Sequence, residues 1–389
     1  MSKIILGVSS SFCANFLRGQ VAYLVGHGFD VTIISGPGEE ISLLSRKENA
    51  RLYTIPFTKR ITPVTDLFQL FKIIRILKKE KPEIINAGNP KSGFLIMLAC
   101  WLTGYKGRIF TLHGLLSDSK TGFFKWLITL TEKISCGIAK QVIAVSPTLK
   151  THAENRGILS PDKSLVIGQG SANGIDLLSF RRSTETEIKA QALKKQIGLN
   201  ENEIVLGFVG RISRDKGVGL LFEAFNRLIN KYPSLRLILA GPLIEENPVT
   251  KQELRQLYND KNIIYLGKLF DVIPIYSLTD ILVLPSYREG FPNVLIEAAA
   301  MEVPVIASDI PGCRDAVSPG TNGLLFASGD ALALSQSIEK LLQQKDLREQ
   351  YGRNGRKFVE ENFENRLIWQ GQVNLYRSLL EDTQTDRLT

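Results

Sequence analysis

The chain has 389 residues, 44% of them hydrophobic and 22% charged, and a formal net charge of +9. That length exceeds what one hydrophobic core ordinarily organises, and the composition excludes a disordered, fibrous or disulfide-framed chain. The charge is lopsided: residues 1–180 hold 22 Lys and Arg against 12 Asp and Glu, and the remainder hold 26 against 27, so the basic excess lies in the first half.

The first apolar run, residues 3–9, reads as an opening strand, with no signal peptide evident. Similar runs rich in Val, Ile and Leu fall at 30–35, 51–57, 83–87, 108–112, 141–145 and 165–168. Helix-length segments separate them, the signature of βαβ units building a parallel sheet. Among these segments, residues 66–81 (DLFQLFKIIRILKKEK) predict an amphipathic helix with Leu67, Leu70, Phe71, Ile74 and Leu77 on the sheet and Lys72, Arg75, Lys78, Lys79 and Lys81 elsewhere. Lys59, Arg60 and the stretch Phe123-Phe124-Lys125-Trp126 extend a basic and aromatic surface that suits an anionic lipid leaflet. The apolar run 94–103 is about half of the ~20 residues needed to cross a bilayer and predicts a buried helix.

Gly, Ser and Asn interrupt the pattern at 168–176, and a polar, helix-prone stretch follows at 184–195. A second series of strands is then expected at 204–209, 235–240, 263–266, 281–284, 303–307 and 323–326. Residues 363–380 close the chain as an amphipathic helix containing Trp369, Val373, Tyr376 and Leu380. Cys13, Cys100, Cys136 and Cys313 stand far apart without a metal-type spacing, which points to a reducing compartment and no structural zinc.

Two segments carry chemistry. Gly210-Arg211-Ile212-Ser213-Arg214-Asp215-Lys216-Gly217 follows the strand at 204–209. Gly210 lets the backbone approach a ligand, and Arg211 and Lys216 bring a fork and a point charge to one strand end, a pairing suited to a leaving diphosphate. Arg288-Glu289-Gly290-Phe291-Pro292-Asn293-Val294-Leu295-Ile296-Glu297 follows the strand at 281–284 and opens a helix with Pro292 at its first position. The amides from Phe291 to Leu295 would form an anion site, and the carboxylates of Glu289 and Glu297 can bracket a ligand by accepting from vicinal hydroxyls.

GRISRDKG with a downstream REGFPNVLIE resembles the family 4 glycosyltransferases, whose pattern is Gly-Arg, a short spacer, Lys-Gly, then Glu-x7-Glu. The resemblance covers nearly the whole chain, including Thr111-Leu112-His113-Gly114, Ala144-Val145-Ser146 and Asn173-Gly174-Ile175-Asp176. It is closest to the bacterial branch that extends capsule, O-antigen or other lipid-linked surface polysaccharides. It implies the GT-B fold: two facing Rossmann-like, doubly wound parallel-sheet domains, 1–172 for the acceptor and 173–363 for the sugar nucleotide, with 364–382 a helix packing back on the first.

By that resemblance Arg211 and Lys216 contact the donor diphosphate, Glu289 the hydroxyls of the transferred sugar, and Glu297 the nucleotide ribose. His113 stands beside the donor sugar and phosphate, and Gly210, Gly290, Phe291, Pro292, Asn293 and Val294 complete the donor site. Catalysis would fall to Glu289, His113, Arg211 and Lys216, with retention of configuration and a departing phosphate that helps deprotonate the incoming hydroxyl. The donor would be a UDP-sugar carrying a hexose or N-acetylhexosamine. The acceptor would be a saccharide, on a polyprenyl diphosphate or otherwise, at the cytoplasmic, inner face of the plasma membrane.

One departure is the first loop, Ser9-Ser10-Ser11-Phe12-Cys13-Ala14-Asn15, where many relatives carry Gly-Gly; Ser10, Ser11 and Asn15 become its candidate acceptor residues. No Asp-x-Asp triplet occurs, so no metal and no cofactor is expected. A sugar-nucleotide epimerase of the same fold and a basic membrane- or nucleic-acid-binding module are the competing readings, with no nucleic acid expected for the transferase. A dehydrogenase is disfavoured because SSSFCAN is not a G-x-G-x-x-G turn.

Overall fold

The computed structural model describes residues 1–58 and 62–388, with side chains as far as 382. The chain forms two compact units: residues 1–174 together with the C-terminal segment from Asn365, and residues 175–364.

The first unit holds seven strands: β1 (Ser2–Gly7), β2 (Phe29–Ser35), β3 (Arg51–Thr54), β4 (Ile84–Gly88), β5 (Gly107–Leu112), β6 (Gln141–Ala144) and β7 (Ser164–Leu165). They lie in the order β3-β2-β1-β4-β5-β6-β7, all parallel. Ile4, Ile5, Ile33, Ile34, Ile84 and Ile85 are buried on both faces of this sheet. That double burial explains why the strands read as continuous apolar runs and not as alternating ones. Two strands are shorter than their apolar runs. Pro56 has no N–H for a ladder and ends the third run early, and β7, at the sheet edge, consists of Ser164 and Leu165, so that only Leu165 of the run 165–168 is in register.

The second unit holds β8 (Ile204–Val209), β9 (Leu235–Ala240), β10 (Ile263–Tyr265), β11 (Ile281–Leu284), β12 (Val305–Ser308) and β13 (Gly323–Phe326), in the order β10-β9-β8-β11-β12-β13. Both orders run outward from a first strand and then reverse. The crevices of open sheets lie at such reversals, beyond the strands' carboxyl ends. In the first unit that point is between β1 and β4, where the Ser9 amide donates to Asn89 Oδ1 at 3.3 Å. In the second it is between β8 and β11, which pair through Ile281↔Leu206 and Leu282↔Gly207.

The helix Pro63–Glu80 packs differently from expectation. Leu70, Ile73, Ile76 and Leu77 are its buried apolar side chains, whereas Leu67 and Phe71 are more than half exposed. Apolar residues nearly encircle this helix, so i, i+3, i+4 spacing offers two stripes, and tertiary polar contacts select one. Gln69 Nε2 donates to the Pro56 carbonyl at 2.8 Å, and buried Glu80 accepts from the Tyr53 hydroxyl at 2.5 Å. The run at 94–103 forms the helix Phe94–Leu102, buried except toward its end, where Trp101 and Leu102 are exposed. Among the described residues no helix is long and apolar enough to cross a membrane.

The closing helix, Asn365–Leu388, lies in the first unit, with Ile368, Trp369, Val373 and Tyr376 buried there. Trp369 Nε1 donates to Asn173 Oδ1 at 2.7 Å, and Asn86 Nδ2 donates to the Tyr376 hydroxyl at 2.8 Å. Phe363, expected to open this helix, instead ends the preceding one and is buried in the second unit's core. All four cysteines are buried free thiols, and burial pushes those of Cys100 and Cys136 up to about 12.

Candidate active site

In the second unit the loops after β8 and β11 meet. Gly217 follows the turn Arg214–Lys216 with φ +70°, and a Cβ there would sit 2.0 Å from the Pro285 carbonyl oxygen. Only glycine tolerates both the conformation and that approach. The contact brings Lys216 Nζ to 2.5 Å from Glu289 Oε1, and the buried Ser286 hydroxyl donates to the same oxygen at 2.7 Å. Among the described residues both donors go to Oε1, which leaves Glu289 Oε2 for a further one. Arg211 Nη2 donates to Asp215 Oδ2 at 2.9 Å, while Ser213 and Asn247 donate to Asp215 Oδ1 at 2.6 and 2.8 Å. Burial pushes the Asp215 carboxyl up, but the Ser213 hydroxyl, Arg211, Asn247 and Lys216 outweigh it and hold the group below its ordinary range. The Tyr287 amide donates to the Asp215 carbonyl at 2.9 Å and ties the two loops together.

The helix after β11 is Asn293–Ala300, so Pro292 is its N-cap and not its first helical residue. Phe291 and Val294 turn their side chains toward the unit's core, Phe291 packing on Phe363 with ring centroids 5.2 Å apart. The Leu295 amide already donates to the Pro292 carbonyl at 3.0 Å, which removes one amide from the expected anion site. Glu297 lies one turn into the helix, recessed, and its Oε2 accepts from the Tyr276 hydroxyl at 2.6 Å. Burial raises the Glu297 carboxyl, an effect the Tyr276 bond opposes. Neither carboxylate of the expected pair is therefore a bare acceptor: Glu289 is held by a cation and a hydroxyl, Glu297 by a phenol.

In the first unit His113 follows β5. Its imidazole stacks on Phe16, centroids 5.3 Å apart, and burial pushes its pKa down to about 4, so the ring is neutral near pH 7. Gly88, at the end of β4, makes room for it: a Cβ there would lie 2.7 Å from the imidazole. Of the acceptor-loop candidates, Ser11 is buried, donating to Glu40 Oε2 at 2.6 Å and accepting from the Ile41 amide at 3.1 Å. Its hydroxyl is committed to the next helix. Ser10 and Asn15 are exposed, Ser10 lying 3.5 Å from the Cys13 thiol and Asn15 accepting from Arg18 at 3.2 Å. Tyr276, Gly88 and Phe16 escaped sequence reasoning because each acts on a motif residue through tertiary contact, whereas Asp215 and Ser286, four and three residues from Arg211 and Glu289, lay in or beside the motifs and were passed over.

The basic surface of the first unit has a definite form. The helices Pro63–Glu80, Phe94–Leu102 and Gly122–Ile138 pack in succession. They expose Phe68, Phe71, Trp101, Phe123, Phe124 and Trp126. A groove of about 650 Å³ on this face is lined by Phe71, Ile74 and Leu102 together with Arg75 and Lys78. Lys59 and Arg60, expected to extend it, lie outside the described residues.

Two Rossmann-like parallel-sheet units, with paired cations and carboxylates at the strand reversal of the second, define a glycosyltransferase of the GT-B class. Residues 14–177 match the model of glycosyltransferase family 4 and residues 189–358 that of glycosyl transferases group 1. The capsular polysaccharide biosynthesis glycosyltransferase CapM of Staphylococcus aureus is 35% identical over 383 residues, covering 98% of each chain. An N,N'-diacetylbacillosaminyl-diphospho-undecaprenol alpha-1,3-N-acetylgalactosaminyltransferase of Campylobacter jejuni is 27% identical over 91% of this chain and 92% of its own. The Anabaena protein HepE, solved with UDP-glucose, superposes with a TM-score of 0.81 at 20% identity, covering 97% of this chain and all of that one. The chain belongs to the family 4 glycosyltransferases.

Proposed function

We propose that the protein is a retaining, metal-independent glycosyltransferase that moves a hexose or N-acetylhexosamine from a UDP-sugar to a lipid-linked or saccharide acceptor in bacterial surface-polysaccharide assembly. The observation that carries this reading is the junction of Lys216, Glu289 and Ser286 at the reversal between β8 and β11. A diphosphate entering beside that junction finds Lys216 and Arg211 as cations, which stabilise the charge that builds as the glycosidic bond breaks. Glu289, with one oxygen fixed by two donors, offers the other to hydroxyls of the sugar. In the first unit the neutral imidazole of His113 can donate one hydrogen bond without adding a charge. The UDP-glucose complex of the Anabaena neighbour supports a uridine donor, and the acceptor class of the Campylobacter relative supports a polyprenyl diphosphate.

A lipid-borne acceptor calls for an enzyme at a membrane surface. The aromatic and basic face on the first unit supports a peripheral site on the inner leaflet, aromatic rings entering the headgroup boundary and cations meeting anionic lipid.

The test is a thermal-shift panel of sugar nucleotides followed by transfer in excess EDTA, with the anomeric configuration of the product read by NMR. A UDP-sugar should give the largest shift, and turnover should survive EDTA with configuration retained. An epimerised donor in the absence of acceptor, an inverted product, or strict dependence on added Mn²⁺ would each contradict a part of the reading.

A further inference from the structure

We propose that Tyr276 sets the nucleotide site's preference for ribose, by fixing the Glu297 carboxylate so that its second oxygen is held for a sugar hydroxyl of the donor nucleoside. The proposal rests on the reading that the second unit binds a UDP-sugar. Tyr276 belongs to the helix Ile273–Leu278, is fully buried, and is tilted against Phe180 with centroids 6.2 Å apart. Its ring therefore cannot rotate away, and its hydroxyl has one destination, Glu297 Oε2 at 2.6 Å.

The chemistry of that partner matters. A buried carboxylate has about four acceptor sites and suffers when they go unmet. Had the partner been Lys or Arg, as at Glu289 and Asp215, the charge would be neutralised. A phenol orients the group without setting an opposite charge against it. Among the described residues no donor reaches Glu297 Oε1, and the side chain is only partly buried, so that oxygen is open to a ligand. The unmet oxygen suits the paired hydroxyls of a ribose, and a site built to accept such a hydroxyl rejects the analogue that lacks it. Tyr276 does not touch the reacting atoms, so it is a positioning residue.

Calorimetric titration of UDP, 2′-deoxy-UDP and 3′-deoxy-UDP into the full chain tests this. Wild type should prefer UDP at least tenfold over one or both deoxy analogues. Tyr276→Phe should weaken UDP fivefold or more and the disfavoured analogue less than twofold, with donor KM raised and kcat within twofold. Glu297→Gln, which keeps an acceptor for Tyr276 but removes the charge, should collapse the same preference and serves if Tyr276→Phe folds poorly. Equal weakening of all three ligands by Tyr276→Phe would make Tyr276 a structural residue, and an undiminished preference would likewise overturn the proposal. Wild type that binds UDP without regard to the ribose sinks the proposal alone. Wild type that binds no UDP sinks the donor reading with it.

Discussion

Lys216 and Glu289 are each largely withdrawn from water, and the pair is held at 2.5 Å with Ser286 as third member. Removing one partner of such a pair strands the other charge, so the two substitutions should behave differently. Glu289→Gln keeps an oxygen for both donors and should lower kcat/KM more than tenfold, above ~1.4 kcal/mol of transition-state stabilisation, with the melting temperature little changed. Lys216→Ala should lose activity and also melt at a lower temperature, and adding Glu289→Gln to it should restore the melting temperature without restoring transfer. A second prediction concerns His113, whose folded pKa of about 4 lies below the ordinary value of ~6.5. Between those values the unfolded chain binds a proton that the native chain does not. Stability is therefore complete above about pH 6.5 and falls as pH drops toward 4, by ~1–3 kcal/mol, a slope that His113→Gln should flatten in denaturant titrations at several pH values. Arg211, Lys216, Glu289 and Glu297 stand in linear motifs, where a sequence can be searched for them. Of their supports, Tyr276 was hidden because it lies on another helix, while Ser286, three residues before Glu289, was close at hand and went unused.

At the level of elements, strand positions were legible wherever a run of branched apolar residues met no proline or sheet edge, and helix faces less so. The helix Pro63–Glu80 shows why: its buried stripe was chosen by Gln69 and Glu80, two polar residues that no apolar pattern would place inside. The outcome exposes Phe68 and Phe71 on the helix that also carries Arg75 and Lys78. Flotation with liposomes should show binding that requires anionic lipid and weakens with salt. Arg75→Glu with Lys78→Glu should reduce it severalfold, as should Phe123→Ser with Trp126→Ser. Equal partition into neutral and anionic vesicles would remove the electrostatic part of the argument. Gly217 is the element-scale counterpart in the second unit. Gly217→Ala combines a strained φ with a collision against the Pro285 carbonyl, so it should lower stability by ~1–3 kcal/mol and transfer by more than tenfold, measured by melting and initial rates.

For the whole molecule, the chain reads as two sheets of the same winding, and the return of the last helix to the first unit was expected from family likeness alone, its amphipathic pattern giving only a helix with one face to bury. Trp369 and Tyr376 carry that return through Asn173 and Asn86, contacts of long sequence separation that only the folded chain reveals. Trp369→Ala should cost ~3–5 kcal/mol, monitored by urea unfolding. The central claim is that the second unit recognises a nucleoside diphosphate through the loops after β8 and β11. Titration of UDP and of uridine into wild type, Arg211→Ala and Lys216→Ala measures it most directly. UDP should bind wild type at least a hundredfold tighter than uridine, ~2.7 kcal/mol carried by the phosphates, and each substitution should remove tenfold or more of UDP affinity while leaving uridine unchanged. Equal affinity for UDP and uridine, or UDP binding indifferent to both cations, would contradict it.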